Sequence, residues 1–376
     1  MKPALVVFGE DWHGLPSSTQ HLVKALTRNY RILWVNSIGL RRPTLSLRDF
    51  KRAATKVLHR LSGASKPQTS KAQAQASVDV TTLNILTWPA PRSRVIRRLC
   101  AWAIAWQVRR ELTKLGMRNP TLWLSLPTAG DACQLIPHKA LLYYCCDDFS
   151  SLAGVDHATV EQHEKALVNA ADHIVISQAS LQTKWPQKPA VLLPHGVDYA
   201  LFSQPAPRAS DLPTGGPIAG FYGSIASWLD QELLKKVASQ LPNWQFVFVG
   251  KVEVDVSALA SLPNVQFLGP RPHDQLPRYS QHWDVAMLPF IQCDQITHCN
   301  PLKLREYLAA GSPIVSTRFP AAEEYEPLVH IADNADAFSY ALGMQQQNRQ
   351  ARLRRMHAVE RESWQARADV LATLIG

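Results

Sequence analysis

Five short apolar segments in the second half of the chain constrain its fold more than anything else: Ile218–Gly223, Gln245–Gly250, Val265–Gly269, Val285–Pro289 and Pro313–Thr317. Each has the length of a buried strand, and helical patterns separate one from the next. Short buried strands alternating with helices build a parallel, doubly wound sheet covered on both faces. Three of the segments end in glycine (Gly223, Gly250, Gly269), where backbone must turn tightly or approach a ligand. In such sheets ligands bind outside the carboxyl ends of the strands, where these glycines fall. No Gly-x-Gly-x-x-Gly run and no Walker-type loop occurs, which disfavours a conventional dinucleotide oxidoreductase or P-loop kinase.

The first half repeats the strand–helix alternation. Candidate strands are Ala4–Gly9, Arg31–Asn36, Thr121–Leu126, Ala140–Cys145, His173–Ser177 and Val191–Pro194, with helical patterns near Ser17–Arg28, Arg94–Leu115 and Val155–Ala171. At 376 residues the chain exceeds one ordinary core, so two domains are expected. Pro- and Gly-rich stretches around Gln204–Arg208 and Asp211–Pro217 mark the junction. The expected organisation is a first α/β domain over 1–203, a linker over 204–216, a second α/β domain over 217–355, and a terminal helical segment, 356–376, that returns to pack on the first domain. Residues 62–77, rich in Ser, Ala, Gln and Lys, read as a surface loop. The Met1–Gly9 segment is too short in apolar length for a signal peptide and reads as a first strand. No run approaches the roughly 20 apolar residues of a membrane-spanning helix. The six cysteines show no metal-ligand spacing, and reduced thiols in a cytoplasmic protein are their simplest account.

The segment from Cys299 to Thr317 carries the most chemistry. Asn300 reads as an N-cap with Pro301 at the first helical position, and Gly311 suits the left-handed residue that ends the helix before a buried strand. The amides of Leu302 and Lys303 then face the mouth of the sheet and, with the Lys303 ammonium, form an anion site. Glu306 lies one turn further on the same face, where a carboxylate suits the hydroxyls of a ribose. An ordinary amphipathic helix with a surface Lys–Glu pair is the plainer alternative.

The net charge of +10 is local. Residues 41–71 hold nine Lys/Arg against Asp49, and residues 92–118 hold eight against Glu111, so the rest of the chain sums to −5. The second stretch also places Leu99, Trp102, Ile104, Ala105, Trp106 and Val108 between its arginines. Tryptophans and arginines around an apolar centre suit an interfacial helix on an anionic membrane, and a solvated helix packed on its own domain is the alternative. No nucleic-acid-binding motif accompanies the charge, so nucleic acid is not an expected partner.

Taken in order, Tyr143–Ser150, Pro194–Asp198 with Leu201-Phe202, Tyr222–Asp230, Val265–Pro270, Asp284–Phe290 and Pro301–Gly311 make the chain resemble the GT-B glycosyltransferases. The likeness is to the group 1, family 4-like bacterial enzymes of teichuronic-acid and exopolysaccharide synthesis. It implies two Rossmann-like, doubly wound domains facing across a cleft, a nucleotide-sugar donor (UDP by preference) held by the second, and a glycan or polyprenyl-linked acceptor held by the first. Glu306 matches the family's ribose-binding glutamate, Gly223 and Ser224 the turn under the diphosphate, and Pro270 and Arg271 the backbone that holds the base. Where the family often carries a second glutamate, eight positions before Glu306, this chain has His298, with Asp294 nearby.

GT-B enzymes typically stabilise the departing diphosphate with helix ends and Lys/Arg, so neither a metal nor a cofactor is expected, and no Asp-x-Asp motif occurs. Inversion at the anomeric centre requires a base. Asp147 or Asp148 fits that role, or else caps the following turn; a retaining reaction would need no such base. His13, in the loop after the first strand, is a further candidate for contact with donor or acceptor, or a plain surface histidine. His195, Trp228 and Asp230 read as structural support. The reading is thus a cytoplasmic transferase, and the basic stretches 41–71 and 92–118 favour a peripheral position on the inner membrane face. A GT-B sugar-nucleotide epimerase and a non-catalytic binding subunit are the competing readings.

Overall fold

The apolar segments become the centres of two parallel sheets. A computed structural model describes residues 2–14, 16–36, 80–87, 94–149, 157–344 and 348–376. The expected loop at 62–77 and the basic stretch 41–71 lie outside the described residues. The first sheet comprises β1 (Ala4–Gly9), β2 (Arg31–Asn36), β3 (Val80–Asn84), β4 (Thr121–Leu124), β5 (Ala140–Cys145), β6 (His173–Ile176) and β7 (Val191–Leu192), in the order β3-β2-β1-β4-β5-β6-β7. The second comprises β8 (Ile218–Tyr222), β9 (Gln245–Val249), β10 (Val265–Phe267), β11 (Val285–Leu288), β12 (Ile314–Ser316) and β13 (Val329–Ile331), in the order β10-β9-β8-β11-β12-β13.

Each order reverses once, between β1 and β4 in the first sheet and between β8 and β11 in the second. At such a switch point the crossover helices leave on opposite faces and open a crevice at the strand ends. In the second sheet the central strands are apolar on both faces because helices cover both. Phe221, Phe246, Phe248, Val285 and Met287 are fully buried together with Leu304 and Leu308. Register is continuous from Ile218↔Gln245 to Tyr222↔Val249, which brings the glycines that follow β8 and β9 side by side.

Contacts divide the chain into two compact units. The first takes in the described residues up to Cys145, with Phe149 and those up to Val175. The second takes in Cys146–Asp148 and the described residues from Ile176 to Leu374. Within the second unit the Arg349–Val359 helix packs on the Leu302–Ala310 helix. Gly311 ends the latter with φ 75°, and its carbonyl accepts a hydrogen bond from Arg355 Nε at 3.0 Å. Arg305, almost fully buried, reaches Glu362 Oε2 at 2.7 Å, which ties the same helix to the segment before Trp364. No helix among the described residues is long and apolar enough to cross a membrane.

Candidate functional site

The site is built where β8 and β11 end. After Tyr222 the chain turns at Gly223, whose φ of 132° is a conformation that side-chain-bearing residues rarely adopt. A Cβ at Gly223 would lie 2.5 Å from Lys303 Nζ, and one at Gly250 would strike the Gly223 carbonyl. Both positions therefore exclude side chains, so that two strand ends and a lysine can converge. The Lys303 ammonium sits over the ring of Phe221 at 4.4 Å and of Phe290 at 5.5 Å. These rings project from β8 and from the residue pair beyond β11, so Lys303 stands at the switch point itself. Cation–π contacts of this kind offset part of the cost of taking an ammonium out of water, by about 0.5–2 kcal/mol. Burial nevertheless pulls the Lys303 pKa down to about 8, against the upward pull of Cys299 and Glu306.

The helix that carries Lys303 begins one residue later than the sequence pattern predicts. Pro301 is the N-cap (φ −71°, ψ 127°), Leu302 is the first helical residue, and no side chain caps this end. Asn300 is spent elsewhere. Its buried amide nitrogen donates to the Ser177 carbonyl at 2.8 Å and to Gln178 Oε1 at 3.2 Å, while its oxygen accepts from Arg305. Because the proline side chain offers no acceptor, the first-turn amides of Leu302 and Lys303 are left without a side-chain cap and keep the donor character that an anion requires.

One turn on, Glu306 is held at both oxygens. Tyr222 donates its hydroxyl to Oε2 at 2.7 Å, and His273 Nε2 lies 2.7 Å from Oε1. Burial lowers the His273 pKa, but the hydrogen bond and charge of Glu306 outweigh it and leave the pKa raised. Tyr222 is pushed well above its usual value by burial and by the same carboxylate. The result is a carboxylate of fixed orientation, each oxygen retaining a further lone pair for an incoming hydroxyl. Sequence reasoning missed both partners. Tyr222 belongs to the β8 segment but reads as core, and His273 lies two residues past Arg271 in a loop with no periodic signal.

The other candidates fall as follows. Ser224 is half-buried directly after the Gly223 turn. Pro270 is exposed, and Arg271 is engaged by Asp211 at 2.6 Å and by the Tyr279 hydroxyl at 2.9 Å, which anchors the loop that carries His273. His298 pairs through Nδ1 with Ser180 Oγ at 2.9 Å, and Asp294 is exposed in a one-turn helix. Asp148 is bound by Lys184 Nζ at 2.6 Å. Asp147, in the same compact unit as the Lys303 helix, acts on the Cys299 thiol: burial and then Asp147 push it up to about 12, against Lys303. His13 is exposed in the first unit, in the turn after β1. Asp230 caps the Gln231–Gln240 helix through Leu233 N. Gly223, Gly250, Lys303 and Glu306 are thus brought together.

Comparison with known proteins finds a family model that matches the stretch carrying this arrangement. The model of the family described as "Glycosyl transferases group 1" matches residues 216–345, the stretch that contains all of β8–β13. The putative teichuronic acid biosynthesis glycosyltransferase TuaH of Bacillus subtilis (strain 168) is 29% identical over 226 residues, 54% of this chain and 57% of that relative. The match therefore spans little more than half of the relative's length. Among solved structures, the sucrose-phosphate synthase of Thermosynechococcus elongatus shares the fold with a TM-score of 0.67 at 16% identity, over 99% of this chain and 98% of its own. Anabaena HepE, solved in complex with UDP and glucose, does so with a TM-score of 0.66 at 11% identity, over 98% of each chain. The fold is GT-B.

The second sheet places a cation of lowered pKa at its switch point, and a pH dependence follows. Below about pH 8 Lys303 is charged; above it the charge is lost. The affinity of the free protein for UDP, measured by titration calorimetry at several pH values, is expected to fall as pH rises through about 8. Affinity that is flat from pH 7 to 9.5 would remove Lys303 from the anion site.

Proposed function

We propose that the chain is a glycosyltransferase that moves a sugar from a nucleoside diphosphate, UDP by preference, to a glycan or polyprenyl-linked acceptor in cell-surface polysaccharide synthesis. The observation that carries this reading is Lys303 over Phe221 and Phe290 beside the Gly223 turn, with Glu306 one helical turn away. The diphosphate would lie against the Leu302 and Lys303 amides and the Lys303 ammonium. These donors meet the charge that develops on the leaving oxygen, so no metal or cofactor is assigned. Glu306, fixed by Tyr222 and His273, would accept the ribose hydroxyls.

Support comes also from the TuaH relative's part in teichuronic acid biosynthesis and from the UDP and UDP-glucose complexes of the HepE neighbour. If the anomeric centre inverts, Asp147 or Asp148 would act as the base. A nucleotide-sugar donor and a lipid-linked acceptor place the protein at the cytoplasmic face of a membrane.

The test is a thermal-shift screen with UDP, GDP and their glucose conjugates, followed by assay for released UDP with a membrane lipid extract as acceptor. The expected result is stabilisation by UDP, and UDP release that depends on the extract. No stabilisation by either nucleotide would reject the donor site, and acceptor-independent conversion of the intact sugar nucleotide to an isomer would replace transfer with epimerisation.

A further inference from the structure

The Arg94–Leu115 helix is apolar on two opposite faces, and only one of them is core. Ala101, Ile104, Ala105, Val108 and Leu112 are buried within the first unit. On the other side Val95, Leu99, Trp102 and Trp106 recur at i, i+4, i+7 and i+11, with exposures of 67%, 62%, 63% and 50%. Isolated exposed apolar residues are ordinary on a protein surface, but a continuous stripe with two indoles marks an interaction site. Leu135, 44% exposed, extends it, and Trp102, Trp106, Arg109 and Arg110 line one shallow groove with it.

Cations frame the stripe. At 3.6 residues per turn, Arg98 and Arg109 fall along one border and Arg110 along the other, and all three are exposed. The Arg110 guanidinium lies over the Trp106 ring at 5.6 Å. Arg97 is different: it points to the opposite side and forms a bidentate pair with Asp131 at 2.8–2.9 Å. The helix's one acid, Glu111, is paired with Lys114 at 2.6 Å. No acidic group of the helix is therefore left to offset the border arginines.

We infer that this face docks on an anionic phospholipid bilayer, with Trp102 and Trp106 at headgroup depth and Arg98, Arg109 and Arg110 against lipid phosphates. Interfacial indoles and cations at the borders of an apolar stripe are the chemistry such a surface accepts. A second copy of the chain fits less well. An isologous contact would set arginine borders of the same sign against each other around the stripe. The inference rests on this helix alone and not on the donor site in the second unit, so either can fail without the other.

The experiment is co-sedimentation of the full chain with vesicles of equimolar phosphatidylglycerol and phosphatidylcholine, and with phosphatidylcholine alone. The wild-type protein is expected to pellet with the anionic vesicles and to be released by salt. Partitioning should fall at least tenfold in an Arg98→Gln/Arg109→Gln/Arg110→Gln triple variant, and likewise in a Trp102→Ser/Trp106→Ser double variant. All of these side chains are exposed, so both variants should keep the wild-type cooperative melt. Absence of anionic-vesicle binding, or equal binding by the folded variants, overturns the inference. A concentration-dependent dimer that the Trp102→Ser/Trp106→Ser variant abolishes would assign the face to a second copy instead.

Discussion

A Lys303→Met variant is expected to bind UDP at least tenfold more weakly and to transfer sugar roughly two to three orders of magnitude more slowly, while melting close to wild type. The rate estimate follows the loss of a single pre-organised donor to a developing oxyanion, about 10²–10³ in kcat. Methionine keeps an unbranched stem to pack against Phe221 and Phe290, and its thioether tolerates aromatic neighbours, so the site stays filled. The fold should not suffer, because burial already disfavours the ammonium, as its pKa of about 8 records. The stabilising gain from Lys303 is therefore expected to appear only when an anion is present. Lys303→Arg is no conservative control: Gly223 lies too close beside Nζ to admit a longer, planar head. Calorimetry with UDP and UDP-release kinetics check the pair of effects, and full activity in Lys303→Met would refute the assignment.

What the sequence makes legible is whatever lies at the centre of each sheet. β1, β2, β5, β8 and β9 lie where their apolar runs predict, because a strand covered on both faces can tolerate little else. The two strands that escape the pattern, β3 and β13, are both at sheet edges. β3 reads Val-Thr-Thr-Leu-Asn and is only half-buried, so its composition is that of a surface segment. The same logic governs the site. Lys303, Glu306 and the glycine turns announce themselves through helix-end and strand-end chemistry, which is local. The partners of Glu306 do not, because Tyr222 and His273 meet it across sequence gaps of 84 and 33 residues. Asn300 shows the converse: a residue with strong local capping preference is drawn away by the Ser177 carbonyl and Arg305, contacts that no local pattern encodes. The Arg94–Leu115 stretch is legible as a helix but not in its facing, and only the fold separates the core residues Ile104 and Val108 from the exposed Leu99, Trp102 and Trp106.

A Glu306→Gln variant is expected to keep its fold and to lose donor binding, with the main effect on KM. Glu306→Ala is the less informative change, because it strands the buried Tyr222 hydroxyl without its acceptor, at a cost of about 1–3 kcal/mol in stability. Glutamine keeps an oxygen for Tyr222 and the side-chain volume, but replaces the second acceptor with an N–H₂ group. A ribose diol that needs two acceptors then finds one, and UDP affinity should drop at least tenfold. His273 supplies a readout that a merely structural role for Glu306 would leave equally visible in the unliganded protein but uncoupled from UDP. Its raised pKa depends on the Glu306 hydrogen bond and charge, with Asp198 and Asp274 adding smaller pulls in the same direction, so in Glu306→Gln the imidazole should titrate at lower pH. The sign for stability is that of a raised histidine: the pair contributes fully below the unfolded value of about 6.5 and is lost as pH rises through the folded pKa. Wild type should therefore lose stability relative to Glu306→Gln across that window, read by denaturant melts at stepped pH alongside the His273 titration followed by NMR. Lowered His273 pKa together with weakened UDP binding would place the carboxylate at the ribose. A lowered pKa with unchanged UDP affinity would leave Glu306 as a buried strut between β8 and the His273 loop, and would remove it from the donor site.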